Sequence, residues 1–120
     1  MRALIVSTSW MLRAAWRDAA RGAGLQVVEA ECAEEARLAV SILGTQELAL
    51  IDASLPKAPE LVARLRDESE CRVLVVAPPA ASGPPEPDLP EADAFLQRPF
   101  TAAVLARQLE VLGLRGEDRP

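Results

Sequence analysis

A carboxylate, three consecutive hydroxyls and a guanidinium are the side chains of this 120-residue chain that can do chemistry together, if the fold gathers them. Asp52 closes the apolar run "LALID", Ser7, Thr8 and Ser9 follow the apolar run "ALIV", and Arg98 follows "DAFLQ". An acid at the end of an apolar run is either a reactive carboxylate or the remnant of one. A remnant would pair with Arg98 or cap a neighbouring backbone amide. The hydroxyls can hold an anion with backbone amides at a helix start, but capping that helix is the expected role. The absence of histidine removes His-based nucleophile triads, His general bases and the commonest metal ligand.

Those residues need elements to position them, and composition limits which elements are available. One domain is expected from the length, with an aliphatic core, because Ala, Leu and Val dominate and aromatics make up 3%. The net charge is −5, Lys57 is the one lysine and no basic stripe is present, so nucleic acid is not expected as a direct partner. Soluble protein partners fit better. Cys32 and Cys71 lie too far apart for a C-x-x-C motif and suit a reduced, cytoplasmic protein. The start "MRALIVSTSWMLR" is interrupted by polar residues before a signal-peptide core is complete, and no apolar run is long enough to span a membrane.

Short apolar runs alternate with segments of helical period. Residues 3–7, 25–30, 48–52, 71–77 and 93–97 read as strands. Residues 11–23 read as a helix with Leu12, Ala15, Trp16, Ala19 and Ala23 on its buried face, ended by Gly22 and Gly24. A second helix spans 32–44, with Glu34 and Glu35 in the first turn where the dipole favours acids and Gly44 as its stop. The third spans 59–69 with Pro59 at its start, and the last spans 101–113 with Thr101 as N-cap and Val104, Leu105, Leu109 and Leu112 as its buried stripe. Residues 78–92 hold six of the ten prolines and are expected to form an irregular loop. From 115 the chain is a polar tail. Strands alternating with helices imply an α/β fold with a five-stranded parallel sheet, doubly wound, whose functional crevice lies beyond the carboxyl ends of the strands. Trp10 falls near that crevice, either as a cover over Asp52, the expected role, or as an exposed anchor for a partner.

With the elements in this order, the chain resembles the receiver domains of bacterial two-component response regulators, and the resemblance covers residues 1–114. "LALIDASLP" is similar to the segment bearing the family's phospho-accepting aspartate, and "ADAFLQRPF" to the segment ending in its Lys-Pro pair. The resemblance implies the flavodoxin-like receiver fold, with the fourth helix replaced by the proline-rich loop. It also implies that Asp52 stands at the phospho-acceptor position, Ser7 and Thr8 at the acidic pair that holds Mg²⁺, Ala77 at the phosphate-binding Ser or Thr, Arg98 at the lysine and Phe95 at the switch aromatic.

Four of those positions depart from the family pattern. Two hydroxyls do not replace the carboxylates that Mg²⁺ needs, Ala77 has no hydroxyl, and Arg98 puts a planar fork where a compact ammonium belongs. The expectation is a degenerate receiver, a pseudo-receiver, with weak or absent Mg²⁺ binding and no catalytic residues. It would act through protein partners, including a homodimer formed by the last strand and helix. The alternative is a genuine receiver phosphorylated on Asp52 by a partner histidine kinase, whether free-standing or part of a longer protein.

Overall fold

The computed structural model describes residues 1–44, 47–68, 71–77 and 92–113. Five strands, β1 (Arg2–Val6), β2 (Gln26–Ala30), β3 (Leu48–Asp52), β4 (Arg72–Ala77) and β5 (Ala94–Gln97), pair in parallel in the order β2-β1-β3-β4-β5. Four helices, α1 (Trp10–Gly22), α2 (Ala33–Leu43), α3 (Ala58–Glu68) and α4 (Ala102–Val111), lie among them. No helix among the described residues is long and apolar enough to cross a membrane.

The doubly wound arrangement follows from period-two burial. Leu4, Val6, Ala49, Ile51, Val73 and Val75 face one side of the sheet, against Ala36 of α2 and Ala58, Leu61, Val62 and Leu65 of α3. Ala3, Ile5, Leu48, Leu50, Leu74 and Val76 face the other side, against Trp16 and Ala20 of α1 and Leu105 and Leu109 of α4. All five residues of β3 are buried, as a central parallel strand covered on both faces requires. Sequential β1 and β2 are neighbours while β3 crosses to the far side of β1, so the strand order reverses at β1 and β3. Their carboxyl ends flank the switch-point crevice.

The caps are local. Ser9 Oγ accepts the Leu12 amide at 3.2 Å, and Thr101 Oγ1 accepts the Val104 amide at 3.2 Å. Glu35 reaches back to accept the Glu31 amide at 2.8 Å just ahead of α2, whose N-cap Cys32 makes no side-chain capping bond. Gly24 and Gly44 take positive φ values of 89° and 90° just past α1 and α2, a conformation that glycine adopts without steric cost. At Gly22 a Cβ would stand 2.9 Å from the Ala102 Cβ, so the bare backbone lets α1 approach α4. Trp16 fills the same seam, 6.2 Å from Phe100 between ring centroids.

Two expected core faces need correction. Ala15 is exposed and Ala20 is buried in its place, because Trp16 fixes the rotation of α1 and an alanine fits either environment. Val104 is 45% exposed: the seam of α4 is the pair Leu105 and Leu109, one turn apart, and Val104 lies more than about a quarter of a turn outside it. The expected loop lies, except for Ala92, outside the described residues, as does the tail.

Where the described chain resumes, Asp93 anchors β5. Its amide donates to the Val73 carbonyl at 2.9 Å, and its carboxylate accepts the Val73 amide at 2.7 Å and the Arg66 guanidinium at 2.7 Å. Cys71, beside it, is buried, and that burial, with the Asp93 charge second, pushes its thiol up to about 12. It therefore packs as a neutral small apolar group. Asp93→Ala leaves the Val73 amide without its carboxylate and is expected to cost about 2 kcal/mol in urea unfolding, whereas Asp93→Asn keeps an acceptor and costs about half as much.

Candidate functional site

The carboxyl end of β3 puts Asp52 into the crevice with 5% of its surface exposed. A buried carboxylate is unfavourable unless donors replace the water it loses. Two donors do so here. The Ser7 hydroxyl, wholly buried at the end of β1, donates to Asp52 Oδ2 at 2.8 Å, and the Ser54 amide donates to Oδ1 at 2.9 Å. The second contact is an Asx-turn, in which an aspartate accepts from the backbone two residues on. The next amide, Ala53, donates across to the Val76 carbonyl at 2.9 Å.

Ser7 is itself held from several directions. Its amide donates to the Ala30 carbonyl at 3.2 Å, its Oγ accepts the Ser9 amide at 3.1 Å, and its carbonyl accepts from Arg13 at 2.6 Å. Arg13 turns its Nε to Glu29 at 3.4 Å, and Arg17 meets the same carboxylate at 3.0 Å. The acid nearest in β2 is thus engaged by two guanidiniums.

The other sequence-selected positions gather less closely. Ala77 is buried at the end of β4, and its carbonyl accepts the Arg98 amide at 2.9 Å. Arg98 precedes a cis bond to Pro99, and its side chain is half-buried with a buried Nε that has no hydrogen-bond partner among the described residues. It makes no ion pair with Asp52, which corrects the expected Asp–Arg pairing. Each carboxylate oxygen accepts one short hydrogen bond, that to Oδ1 from the Ser54 amide, so the amide-capping alternative holds. Phe95 is half-buried against the α2–α3 face of the core. Thr8 is exposed, and Trp10 is 70% exposed at the first residue of α1, so it does not cover Asp52.

Mg²⁺ is held by one or two carboxylates with water and phosphate oxygens. Asp52 supplies one carboxylate, the hydroxyl of Ser7 aims its hydrogen at that carboxylate, and no group of three or more His, Cys, Asp or Glu residues suited to a metal occurs among the described residues. Arg13 belongs to the site although the sequence assigned it no contact there, whereas Ser9 stood among the hydroxyls and the Ser54 amide answers the capping alternative. The spacing "DAS" was a usable signal for Ser54, since Asx-turns reach two residues forward.

No protein-family model matches the sequence, and neither does any curated protein. Solved structures match it closely in shape. The CheY-like receiver domain from Methylobacillus flagellatus superposes with a TM-score of 0.77 at 22% identity, covering 93% of this chain and 98% of that one. The chemotaxis response regulator CheY4 of Vibrio cholerae gives 0.73 at 24% identity, covering 92% and 97%. NtrX from Brucella abortus gives 0.78 at 20% identity over 92% of this chain and 25% of that one. The fold is the receiver fold, and β1, β3 and the β4–β5 ends place Ser7, Asp52, Ala77 and Arg98 along its crevice.

Within that crevice the hydroxyls divide by burial. Ser9→Ala removes the cap of α1 and is expected to cost about 1 kcal/mol, while Thr8→Ala stays within about 0.5 kcal/mol, both read from urea unfolding midpoints.

Proposed function

We propose that this domain is a pseudo-receiver, a module that binds protein partners in a bacterial signalling or regulatory pathway without being switched by phosphorylation. The observation that carries the reading is the state of the Asp52 carboxylate. Both of its oxygens accept short hydrogen bonds from the chain itself, and it forms no ion pair with an Arg or Lys among the described residues. Phosphoryl transfer depends on positioning and on neutralising charge as it develops at the phosphoryl oxygens. Ser7 and Thr8 carry no negative charge to recruit a divalent ion, so Mg²⁺ binds weakly or not at all. Ala77 offers no hydroxyl to a phosphoryl oxygen, and the Phe95 ring has no hydroxyl movement to follow.

On this reading the domain is cytoplasmic, catalyses no reaction and acts through its surface. The fifth strand is a sheet edge, and α4 beside it shows Val104 and Val111 to solvent. That edge and helix suit a protein contact, including a second copy of the chain.

The test is backbone amide NMR with millimolar Mg²⁺ followed by beryllofluoride, a phosphoryl mimic, with Asp52→Asn as control. The expected result is no shift at Ser7, Asp52, Ala77 or Arg98. Shifts there that vanish in Asp52→Asn would restore a receiver phosphorylated on Asp52 by a histidine kinase.

A further inference from the structure

A carboxylate with no reaction to perform is an expensive group to bury, yet Asp52 sits at the end of the most buried strand. The hydrogen bonds around it run in one direction. Asp52 Oδ2 accepts from Ser7 Oγ at 2.8 Å, Ser7 Oγ accepts the Ser9 amide at 3.1 Å, and Ser9 Oγ accepts the Leu12 amide at 3.2 Å. Arg13, on the next turn of α1, closes the loop by donating to the Ser7 carbonyl at 2.6 Å. Every link joins a different pair of elements: β3 to β1, β1 to the N-cap, and the N-cap to α1.

We infer that Asp52 and Ser7 form a latch that holds the first turn of α1 against the sheet, with Asp52 as the anchor and Ser7 as the relay. The carboxylate, by accepting at Oδ2, orients the Ser7 hydroxyl hydrogen toward β3. That leaves the oxygen lone pairs for the Ser9 amide, and each bond in such a chain polarises the next. A group at 52 that cannot accept removes the orientation, and the Ser9 amide loses its preferred acceptor; an amide there keeps one acceptor oxygen and weakens the orientation without abolishing it. The latched turn begins with Trp10 and Met11, 70% and 63% exposed. The latch therefore fixes how the largest exposed apolar pair beside the crevice is presented. Asp52 and Ser7 are positioning residues in this account.

The latch concerns the unmodified protein and is measured without phosphodonor or metal, so its failure leaves the pseudo-receiver reading standing. Amide hydrogen exchange is followed by NMR in the native protein, Ser7→Ala, Asp52→Ala, Asp52→Asn and the Ser7→Ala/Asp52→Ala double variant, with β4 amides reporting global opening. Ser7→Ala nearly preserves shape in a buried position, and Asp52→Asn keeps the size of the anchor, so folded variants are available on both sides of the bond.

Exchange at Ser9 is expected to rise about tenfold in Ser7→Ala relative to the β4 amides, with a smaller rise at Leu12. Asp52→Ala raises the same two amides although Asp52 touches neither, Asp52→Asn, which keeps an acceptor oxygen, raises them less, and the double variant exceeds neither single change to Ala. Thr8→Ala changes neither amide. If the Asp52 variants alter Ser54 alone, or if the effects of the two sites simply add, Asp52 is a local Asx-turn and the latch is wrong.

Discussion

One ionisable carboxylate is buried where a parallel sheet changes direction, and the surrounding structure has to satisfy it. Parallel strands covered on both faces offer nothing but backbone and aliphatic side chains along their length, so polar side chains collect at their ends. β3 is buried throughout, and its last residue is Asp52. The charge there is met by a hydroxyl from the neighbouring strand and by an amide two residues on, rather than by a cation. From this choice follow the burial of Ser7, the anchoring of the Ser9 amide and the direction of Arg13.

On the proposed pseudo-receiver reading, the same choice separates the molecule from the chemistry its fold can support. A phosphoryl-transfer site concentrates charges of both signs around an acceptor and keeps them in tension, and such strain is usually held at the expense of stability. Here the tension is relaxed. Glu29 is engaged by Arg13 and Arg17, and Arg98 stands clear of Asp52. Receiver structures less than a quarter identical share the scaffold, which shows how little of the architecture depends on the reacting groups.

Much of the scaffold was legible in the sequence, because the signals were continuous and local. Each strand announced itself as an aliphatic run, and Ser9, Thr101, Gly24 and Gly44 marked helix ends by chemistry that acts over one to three residues. The site was legible only as a set of positions. That Ser7 and Asp52 meet depends on β1 and β3 being neighbours and on both side chains turning to the same side of the crevice. Forty-five residues separate them. Arg98 drew an expected pairing from its charge, but its backbone is tied to Ala77 and its buried Nε finds no partner among the described residues. Trp10 and Val104 show the same limit from the apolar side. A hydrophobic residue at helical spacing is not bound to face the core when the neighbouring position seals the seam.

The central claim is that Asp52 no longer accepts a phosphoryl group, and intact-mass spectrometry of the protein incubated with acetyl phosphate or phosphoramidate and Mg²⁺ tests it most directly. The account predicts an unchanged mass under conditions that modify an active receiver run alongside. A phosphoryl adduct that forms on the native protein and is absent from Asp52→Asn would contradict it.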